Sequence, residues 1–447
     1  MRLPAPIARA IAFQVTPRAA LLLLAPVPFV VLLRGWAATG AGVGWLLACG
    51  AALAYDATRA ARPADLEWSR ELPVKLSIGV PNTVTLTVHN RSARTARIVC
   101  RDTPPPGFEG SRVFGPLTVG PRGEDEVTLR YTPPSRGRYL FGGVGVRSLG
   151  PWGLAGWQAV APIEQEAKVY PDIQAVRSYA LLARKGALAE MGVKRMRYAG
   201  QGTEFESLRE YEAGDDYRDI DWKATARRGR PIVRSFEAER SQTIVLAIDA
   251  GRLMTARVSG LSKLDRAVNA ALLLAYLGTE RDDLVGLLVF GRDVVRYLPP
   301  KKGHRQFLAI LEALYSVESR VEEPDYGRAM RYLASKLSKR SLVVLFTDLV
   351  GSEPSRRLLA SLTGLMPRHL PLLVTQRNRD VEARSRAEAA TESDVFAASV
   401  AETLLADKSS ALRMLAARGA LVLDVHPEEL SVATVNRYLE VKARGRL

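Results

Sequence analysis

The sequence predicts a multidomain chain in which two N-terminal transmembrane helices precede an all-β sandwich and a C-terminal, doubly wound α/β domain. Two uncharged apolar stretches come first, a hydrophobic period of two follows them, and the remainder alternates apolar runs with helical patterns. A chain of 447 residues is long enough for roughly two or three domains. We expect a transmembrane hairpin (1–62), a β-sandwich (63–171), a linker helix with a charged segment (172–242) and the α/β domain (243–447).

The two apolar stretches predict a membrane anchor. Residues 19–33 and 35–55 carry no charge, and Arg34 separates them. About 20 residues cross the hydrocarbon layer, so the second stretch is long enough alone, whereas the first needs residues 16–18 or local thinning of the bilayer. Arginines flank the pair on both sides, whereas Asp56 is the one acid in residues 1–62, which favours cytoplasmic ends. We therefore expect a multi-pass protein of the inner (cytoplasmic) membrane whose large domains face the cytosol; a cleaved signal peptide, the alternative, has no second span.

The middle of the chain has the pattern of a β-sandwich. Apolar and polar residues alternate over 84–88, 97–100 and 127–131, and proline, glycine and asparagine separate these segments. Such short strands without intervening helices indicate two packed antiparallel sheets. His89 is the one histidine here, and the cysteines Cys49 and Cys100 cannot form a disulfide framework. We interpret this domain as a spacer or an interaction module.

The acidic and basic residues of the charged segment 201–242 lie in different halves of it. Residues 204–221 hold eight acidic and two basic side chains, and residues 222–240 hold six basic and two acidic ones. This segment therefore has a net charge of −2 in a chain of +16, which argues against a surface that follows nucleic-acid phosphates. The aspartates of its acidic half are Asp215, Asp216, Asp219 and Asp221.

Three interpretations of these aspartates stay open. They could converge as a metal site or as general acids and bases. They could pair internally with neighbouring arginines and order a loop around Trp222. They could instead form a docking face for a basic partner. The internal network is favoured, since charged runs far more often pair or solvate than catalyse.

The last two hundred residues alternate strands and helices. Residues 243–249 and 341–348 are apolar runs that each end in aspartate, a helical pattern covers 263–279, and further strands are expected at 370–375 and 420–425. This order predicts a mostly parallel, doubly wound sheet. Ligands of such sheets sit beyond the carboxyl ends of the strands, where both aspartates are expected.

The two strand ends resemble those of the von Willebrand factor A fold. That fold binds a metal through Asp-x-Ser-x-Ser, a threonine and a second aspartate. Asp249 and Asp348 match the two aspartates, whereas Gly251 and Leu253 stand where the serines belong. Residues 325 and 326, an aspartate and a tyrosine, stand near the threonine position.

The resemblance implies a degenerate site for a divalent cation, Mg²⁺ or Ca²⁺. Asp249, Asp348 and Asp325 are the candidate ligands, and water or Asp325 would replace the missing hydroxyl groups. The alternative is that Asp249 and Asp348 cap helices or order loops.

A second resemblance rests on residues of the charged segment: Arg209, Tyr211, Gly214, Asp215, Arg218, Asp221, Trp222 and Arg227. Together with the order of the domains, this pattern resembles the bacterial DUF58 family over nearly the whole chain. Residues 151–154 also resemble a family turn, Asp-Pro-Phe-Gly-Leu, with Gly150 in place of its aspartate. The family resemblance implies that the eight residues are signature or interaction residues and that the partner is a MoxR-type AAA+ ATPase acting in protein assembly or maturation.

No phosphate-binding loop, zinc-protease motif or nucleophile elbow occurs in the sequence. We therefore expect a non-enzymatic, membrane-anchored interaction protein. One alternative is a metal-assisted hydrolase that combines the clustered aspartates with Asp249 and Asp348. The other is nucleic-acid binding through the basic half of the charged segment and residues 442–446.

Overall fold

The computed structural model describes residues 12–25, 36–184, 204–212, 217, 220–237, 241–258, 260–350, 352–388 and 391–444. The chain separates into two compact units, Met1–Tyr170 and Pro171–Leu447, called here the N-terminal and C-terminal units. The first is rich in β-strands, and the second mixes strands and helices. The prediction of a multidomain chain, with a β-rich N-terminal part and a mixed α/β C-terminal part, is confirmed.

The N-terminal unit opens with strand β1 (Ala12–Val15) and helices α1 (Pro17–Leu24) and α2 (Trp36–Arg59). Among the described residues, one segment, Thr39–Asp65, is long and apolar enough to cross a membrane, and it overlaps α2. Helix α1 has eight residues, which is fewer than half of the about 20 that a span requires. The rest of the first predicted span, from residue 26 onward, lies outside the described residues. The described part of the chain thus supports membrane association through one candidate span rather than two.

Three sheets make up most of the N-terminal unit, and their orders are β1-β10-β9-β5-β6, β2-β4-β7 and β3-β11-β8. The strands are β2 (Leu66–Glu71), β3 (Leu76–Ser77), β4 (Asn82–Asn90), β5 (Ala96–Arg101), β6 (Val113–Val119), β7 (Glu124–Tyr131), β8 (Gly137–Phe141), β9 (Val144–Leu149), β10 (Ala155–Ala161) and β11 (Gln165–Tyr170). Strand β4 shows why the alternating pattern matters, since Val84, Leu86 and Val88 all point inward and are fully buried.

A buried ion pair crosses the core of these sheets. The guanidinium of Arg70 binds a carboxylate oxygen of Asp102, and both side chains are fully buried. Tyr131 donates its hydroxyl to the other oxygen at 2.9 Å. Arg70 also donates to the carbonyl oxygens of Ile163 and Gly142 at 2.9 and 2.8 Å, so both of its terminal nitrogens are bonded, whereas its buried Nε has no partner among the described residues.

The carboxylate of Asp56 connects the end of α2 to the turn before β10. It is fully buried and accepts backbone N–H groups of Trp152, Leu154 and Ala155 at 2.8, 2.7 and 2.9 Å. A Cβ at Gly150 would lie 2.3 Å from its Oδ1 atom, so no side chain fits there. The glycine that departs from the family turn therefore makes room for a carboxylate supplied by the helix.

The C-terminal unit is built on one six-stranded sheet of order β18-β17-β14-β19-β20-β21, parallel except for the edge strand β18. Its strands are β14 (Thr243–Asp249), β17 (Leu284–Phe290), β18 (Val294–Lys301), β19 (Leu342–Phe346), β20 (Leu370–Gln376) and β21 (Leu421–Val425). A short ribbon, β15 (Arg257–Val258) with β16 (Leu261–Ser262), leads into the first sheet helix.

Helices cover both faces of this sheet. They are α5 (Lys263–Glu280), α6 (His304–Tyr315), α7 (Tyr326–Lys336), α8 (Ser352–Thr363), α9 (Arg379–Arg386), α10 (Glu392–Ala417) and α11 (Leu430–Ala443). Val245 and Ala247 share a buried cluster with α7, α8 and α10, whereas α5 packs on β14 and β17 together with α6 and α11. Alternate side chains of β14 thus pack against opposite helix layers, which explains why the sequence of this strand is continuously apolar.

The segment before this sheet contains helix α3 (Ile173–Arg184) and a small module of β12 (Glu204–Glu210), α4 (Trp222–Arg228) and β13 (Ile232–Glu237), called here the signature module. Strands β12 and β13 pair antiparallel. Asp221 caps α4 by accepting the Ala224 N–H at 2.9 Å, and Gly229 ends it in the left-handed conformation with a φ of 65°.

Candidate functional site

The central strands bring the two predicted aspartates to one edge of the sheet. In the register of β14 and β19, Ile248 lies opposite Phe346, so Asp249 is level with Thr347 and one residue short of Asp348. Asp249 and Asp348 are 1% and 3% exposed. We call the surrounding polar groups the strand-end cluster: Asp249, Lys263, Tyr326, Thr347, Asp348 and Lys408.

Asp249 is held by uncharged donors. Its Oδ1 accepts the N–H of Gly251 at 2.7 Å. Its Oδ2 accepts the hydroxyl groups of Thr347 at 2.6 Å and Tyr326 at 3.2 Å. Burial raises the pKa of Asp249, and the nearby charge of Asp348 adds to this, while the three hydrogen bonds act in the opposite direction. Tyr326, which stands near the expected threonine position in the sequence, thus donates its hydroxyl to the carboxylate of Asp249.

Asp348 is neutralised by two lysines. The ammonium group of Lys263 binds its Oδ2, and that of Lys408 lies 3.2 Å from its Oδ1. The N–H of Leu349 donates to Oδ1 at 2.9 Å. The lysine side chains are only 8% and 12% exposed. This carboxylate is therefore part of a buried, internally compensated charge network.

The network continues along the edge of the sheet to β21. Lys408 also binds Oδ1 of Asp424 at 3.0 Å and the backbone oxygen of Gln376 at 2.6 Å. Thr375 donates its hydroxyl to Asp424 at 2.6 Å. Burial alone would raise the pKa of Asp424, but the Lys408 charge, the Thr375 hydrogen bond and the guanidinium of Arg377 outweigh it and hold the pKa below its ordinary value.

Asp325, the third predicted metal ligand, caps a helix. Its Oδ1 accepts the N–H of Arg328 at 2.8 Å at the start of α7. Arg328 in turn binds Asp293 through its guanidinium. Asp325 therefore has a structural role that sequence reasoning did not assign to it.

The residues present do not fit a divalent cation. Mg²⁺ and Ca²⁺ require about six or more oxygen ligands, whereas the carboxylate oxygens of Asp249 and Asp348 already bind N–H, hydroxyl and ammonium groups of this chain. There is also no space for the first serine of the resembled motif. A Cβ at Gly251 would lie 2.8 Å from Pro324 Cδ and 3.0 Å from the Glu322 oxygen.

Sequence reasoning missed both lysines. Lys263 carried a usable signal, because it is the first residue of α5 after the cap Ser262, where the helix dipole disfavours a positive charge. Its position therefore suggests a buried acidic partner. Lys408 carried no such signal, because it lies inside the long helix α10.

The signature residues lie apart from this cluster in the sequence and only some are described. Gly214, Asp215, Asp216, Arg218 and Asp219 lie outside the described residues. Arg209 belongs to β12, and Asp221 is the helix cap given above. The proposed convergence of the four aspartates is therefore untested, while Asp221 fills a structural role.

Large aromatic side chains of the signature module are exposed. Trp222 is 70%, Tyr217 is 68% and Tyr211 is 41% exposed. Three basic residues of α4 are exposed as well: Lys223, Arg227 and Arg228. Arg230, just beyond the helix, pairs with Glu210 at 2.8 Å.

Comparison with known proteins places this part of the chain in a family. Residues 207–382 match the model described as "Protein of unknown function DUF58". Uncharacterized protein Rv1480 of Mycobacterium tuberculosis and Uncharacterized protein Mb1516 of Mycobacterium bovis are each 24% identical over 264 residues, which cover 56% of this chain and 82% of the relative.

Two solved structures are similar at low identity. The conserved hypothetical protein BatB from Bacteroides thetaiotaomicron has 13% identity and a TM-score of 0.30, covering 46% of this chain and 100% of that one. The CARDB domain of the PF1109 protein from Pyrococcus furiosus has 16% identity and a TM-score of 0.16, covering 24% of this chain and 87% of that one. Residues 207–382 of this chain are therefore similar to the DUF58 family.

Proposed function

We propose that this chain is a membrane-anchored, non-enzymatic protein-interaction protein that docks an acidic surface of its partner through the signature module. The partner class implied by the family resemblance is a MoxR-type AAA+ ATPase, and the process is assembly or maturation of other proteins. The proposal rests on one observation, the 70% exposure of Trp222 beside basic side chains within the family-matched region.

An exposed tryptophan favours a protein partner. Tryptophan and tyrosine dominate the energetically important residues of protein interfaces, because they bury a large area with few rotatable bonds. Trp222, Tyr217 and Tyr211 lie within one short module and face solvent to 70, 68 and 41%. Burial of such side chains against a partner would contribute favourable free energy that the isolated chain does not gain.

The charges of α4 favour an acidic partner. Lys223, Arg227 and Arg228 form no ion pair with another described residue, and two of them occupy the last turn, where the helix dipole also favours cations. Positive rims raise association rates with negative surfaces and disfavour positive ones. An acidic patch on the partner is therefore the complement of this module.

The strand-end cluster is a weaker docking candidate than the sequence suggested. Asp249 and Asp348 are almost fully buried and bonded to side chains of this chain, so neither offers a free carboxylate. The same enclosure disfavours the hydrolase alternative at this position, because a nucleophilic water needs access to the carboxylates.

Finer features belong to the same proposal. We infer that the C-terminal unit is a von Willebrand factor A-like domain, supported by its central parallel strands that end in Asp249 and Thr347-Asp348. We also infer a multi-pass anchor in the inner membrane with both large domains in the cytosol, supported by the arginines that flank the apolar stretches.

Binding of the full chain to a purified MoxR-type ATPase of the same organism tests the proposal. Trp222→Ala should weaken binding roughly 100-fold, since about 140 Å² of apolar surface would leave the interface. Trp152→Ala is the matched control, because Trp152 is also exposed, to 54%, but lies in the N-terminal unit. Equal losses in the two variants would contradict the docking surface, and salt-sensitive RNA or DNA binding lost in Trp222→Ala would favour nucleic acid instead.

A further inference from the structure

We propose that Lys263, assisted by Lys408, supplies the strand-end cluster with a fixed internal positive charge, so that the cluster is complete without a bound divalent cation. The inference does not rest on the proposed docking surface. It concerns the edge of the sheet where the resembled fold holds its metal, and it assigns to two lysine side chains the electrostatic role of the ion.

The position of Lys263 is the first argument. A lysine at the N-terminal start of a helix is disfavoured by the helix dipole, and a buried ammonium group is costly unless it is paired. Lys263 is nevertheless 8% exposed and binds Oδ2 of Asp348. Its backbone oxygen accepts the side-chain N–H of Gln376 at 2.7 Å, which fixes the start of α5 against β20.

The occupancy of the carboxylate oxygens is the second argument. Asp348 receives Lys263 on Oδ2 and Lys408, with the Leu349 N–H, on Oδ1. Asp249 receives hydroxyl and N–H donors on both oxygens. A divalent ion would have to displace these donors, including two ammonium groups of like charge.

The third argument is steric. Residues 320–324 run directly against the β14 loop, where Arg320 donates its N–H to the Ala250 oxygen at 2.8 Å and Arg252 donates to the Glu322 oxygen at 2.9 Å. A Cβ at Gly251 would meet Pro324 at 2.8 Å. Residues 320–324 thus occupy the space that the side chain of a metal-binding serine at position 251 would need.

Mn²⁺ titration of the full-length wild-type chain in detergent, followed by the EPR signal of free Mn²⁺, is the direct test. We expect no saturable binding up to about 1 mM, the upper range for weak protein sites for divalent cations. The melting temperature should be the same in MgCl₂ and in EDTA at equal ionic strength. Saturable Mn²⁺ binding that Asp348→Asn abolishes would overturn the proposal.

Variants of Lys263 test whether its positive charge stabilises the strand-end cluster. Lys263→Met should lower the melting temperature of the C-terminal unit by roughly 10 °C, because it leaves the buried Asp348 with one cation instead of two. The double variant Lys263→Met/Asp348→Leu removes both charges and should recover part of that loss. Lys302→Met, an exposed lysine near α6, is the control and should cause no change.

If Lys263→Met does not fold and the double variant Lys263→Met/Asp348→Leu does, this result also supports the role of Lys263 in compensating the charge of Asp348. A melting temperature of Lys263→Met equal to wild type would refute the lysine's role. The wild-type Mn²⁺ titration decides the metal question without any variant.

Discussion

Removing the hydroxyl groups around Asp249 one at a time tests whether this carboxylate is held as part of the fold. Thr347 donates at 2.6 Å and Tyr326 at 3.2 Å. Hydroxyl hydrogen bonds are usually about 2.5–3.0 Å long, so the threonine bond is the stronger one. We expect Thr347→Val to lower the free energy of unfolding by about 2–3 kcal/mol and Tyr326→Phe by about 1 kcal/mol, since each leaves a buried acceptor less satisfied.

Urea unfolding of the full chain in detergent measures these changes as shifts of the midpoint at constant slope. Tyr332→Phe is the matched control, because Tyr332 lies on the same helix and its hydroxyl makes no hydrogen bond to a described residue. It should change the free energy of unfolding by less than about 0.5 kcal/mol. The reasoning is refuted if Tyr326→Phe costs more than Thr347→Val, or if Tyr332→Phe costs as much as either.

Three more substitutions test other polar contacts. Asp102→Asn should destabilise the N-terminal unit by about 3–5 kcal/mol, because it leaves the buried Arg70 guanidinium uncompensated; unchanged amide exchange in β5 would contradict this. The pKa of Asp424 is lowered in the fold, so its stabilisation is present above about pH 4 and is lost as the pH falls through the folded value. The melting-temperature deficit of Asp424→Asn should accordingly be largest at neutral pH and shrink below about pH 4, whereas a pH-independent deficit would exclude linkage to Lys408. Asp56→Ala should accelerate amide exchange in the turn before β10, where three N–H groups lose their acceptor, and an unchanged rate there would count against it.

Much of the C-terminal sheet was predictable because its signals are local. The apolar run at 243–249 ends at Asp249, as the strand does, and the helical pattern at 263–279 occurs as the helix Lys263–Glu280. Each follows from periodicity and from caps within a few residues. The linker helix expected within 172–242 spans Ile173–Arg184 in the described residues.

The chemistry of the strand-end cluster was not predictable in the same way. Lys408 is 60 residues from Asp348 in sequence, and only the packing of α10 against the sheet brings the two together. The resemblance to a metal site identified which carboxylates meet, but not what neutralises them. A lysine is an ordinary surface residue in a sequence, so its burial becomes visible only when its partner and its exposure are known.

The hydrogen bonds of Asp56 form a rigid connection between the C-terminal end of helix α2 and the turn before β10, so the chain does not hinge at this point. Three backbone amides grip one carboxylate, and the indole of Trp157 adds a further bond to the Ala57 oxygen at 3.1 Å. A tilt or rotation of helix α2 would therefore change the orientation of the attached strands by the same amount. This rigid connection would restrict the orientations that the β-rich unit can adopt relative to a lipid surface.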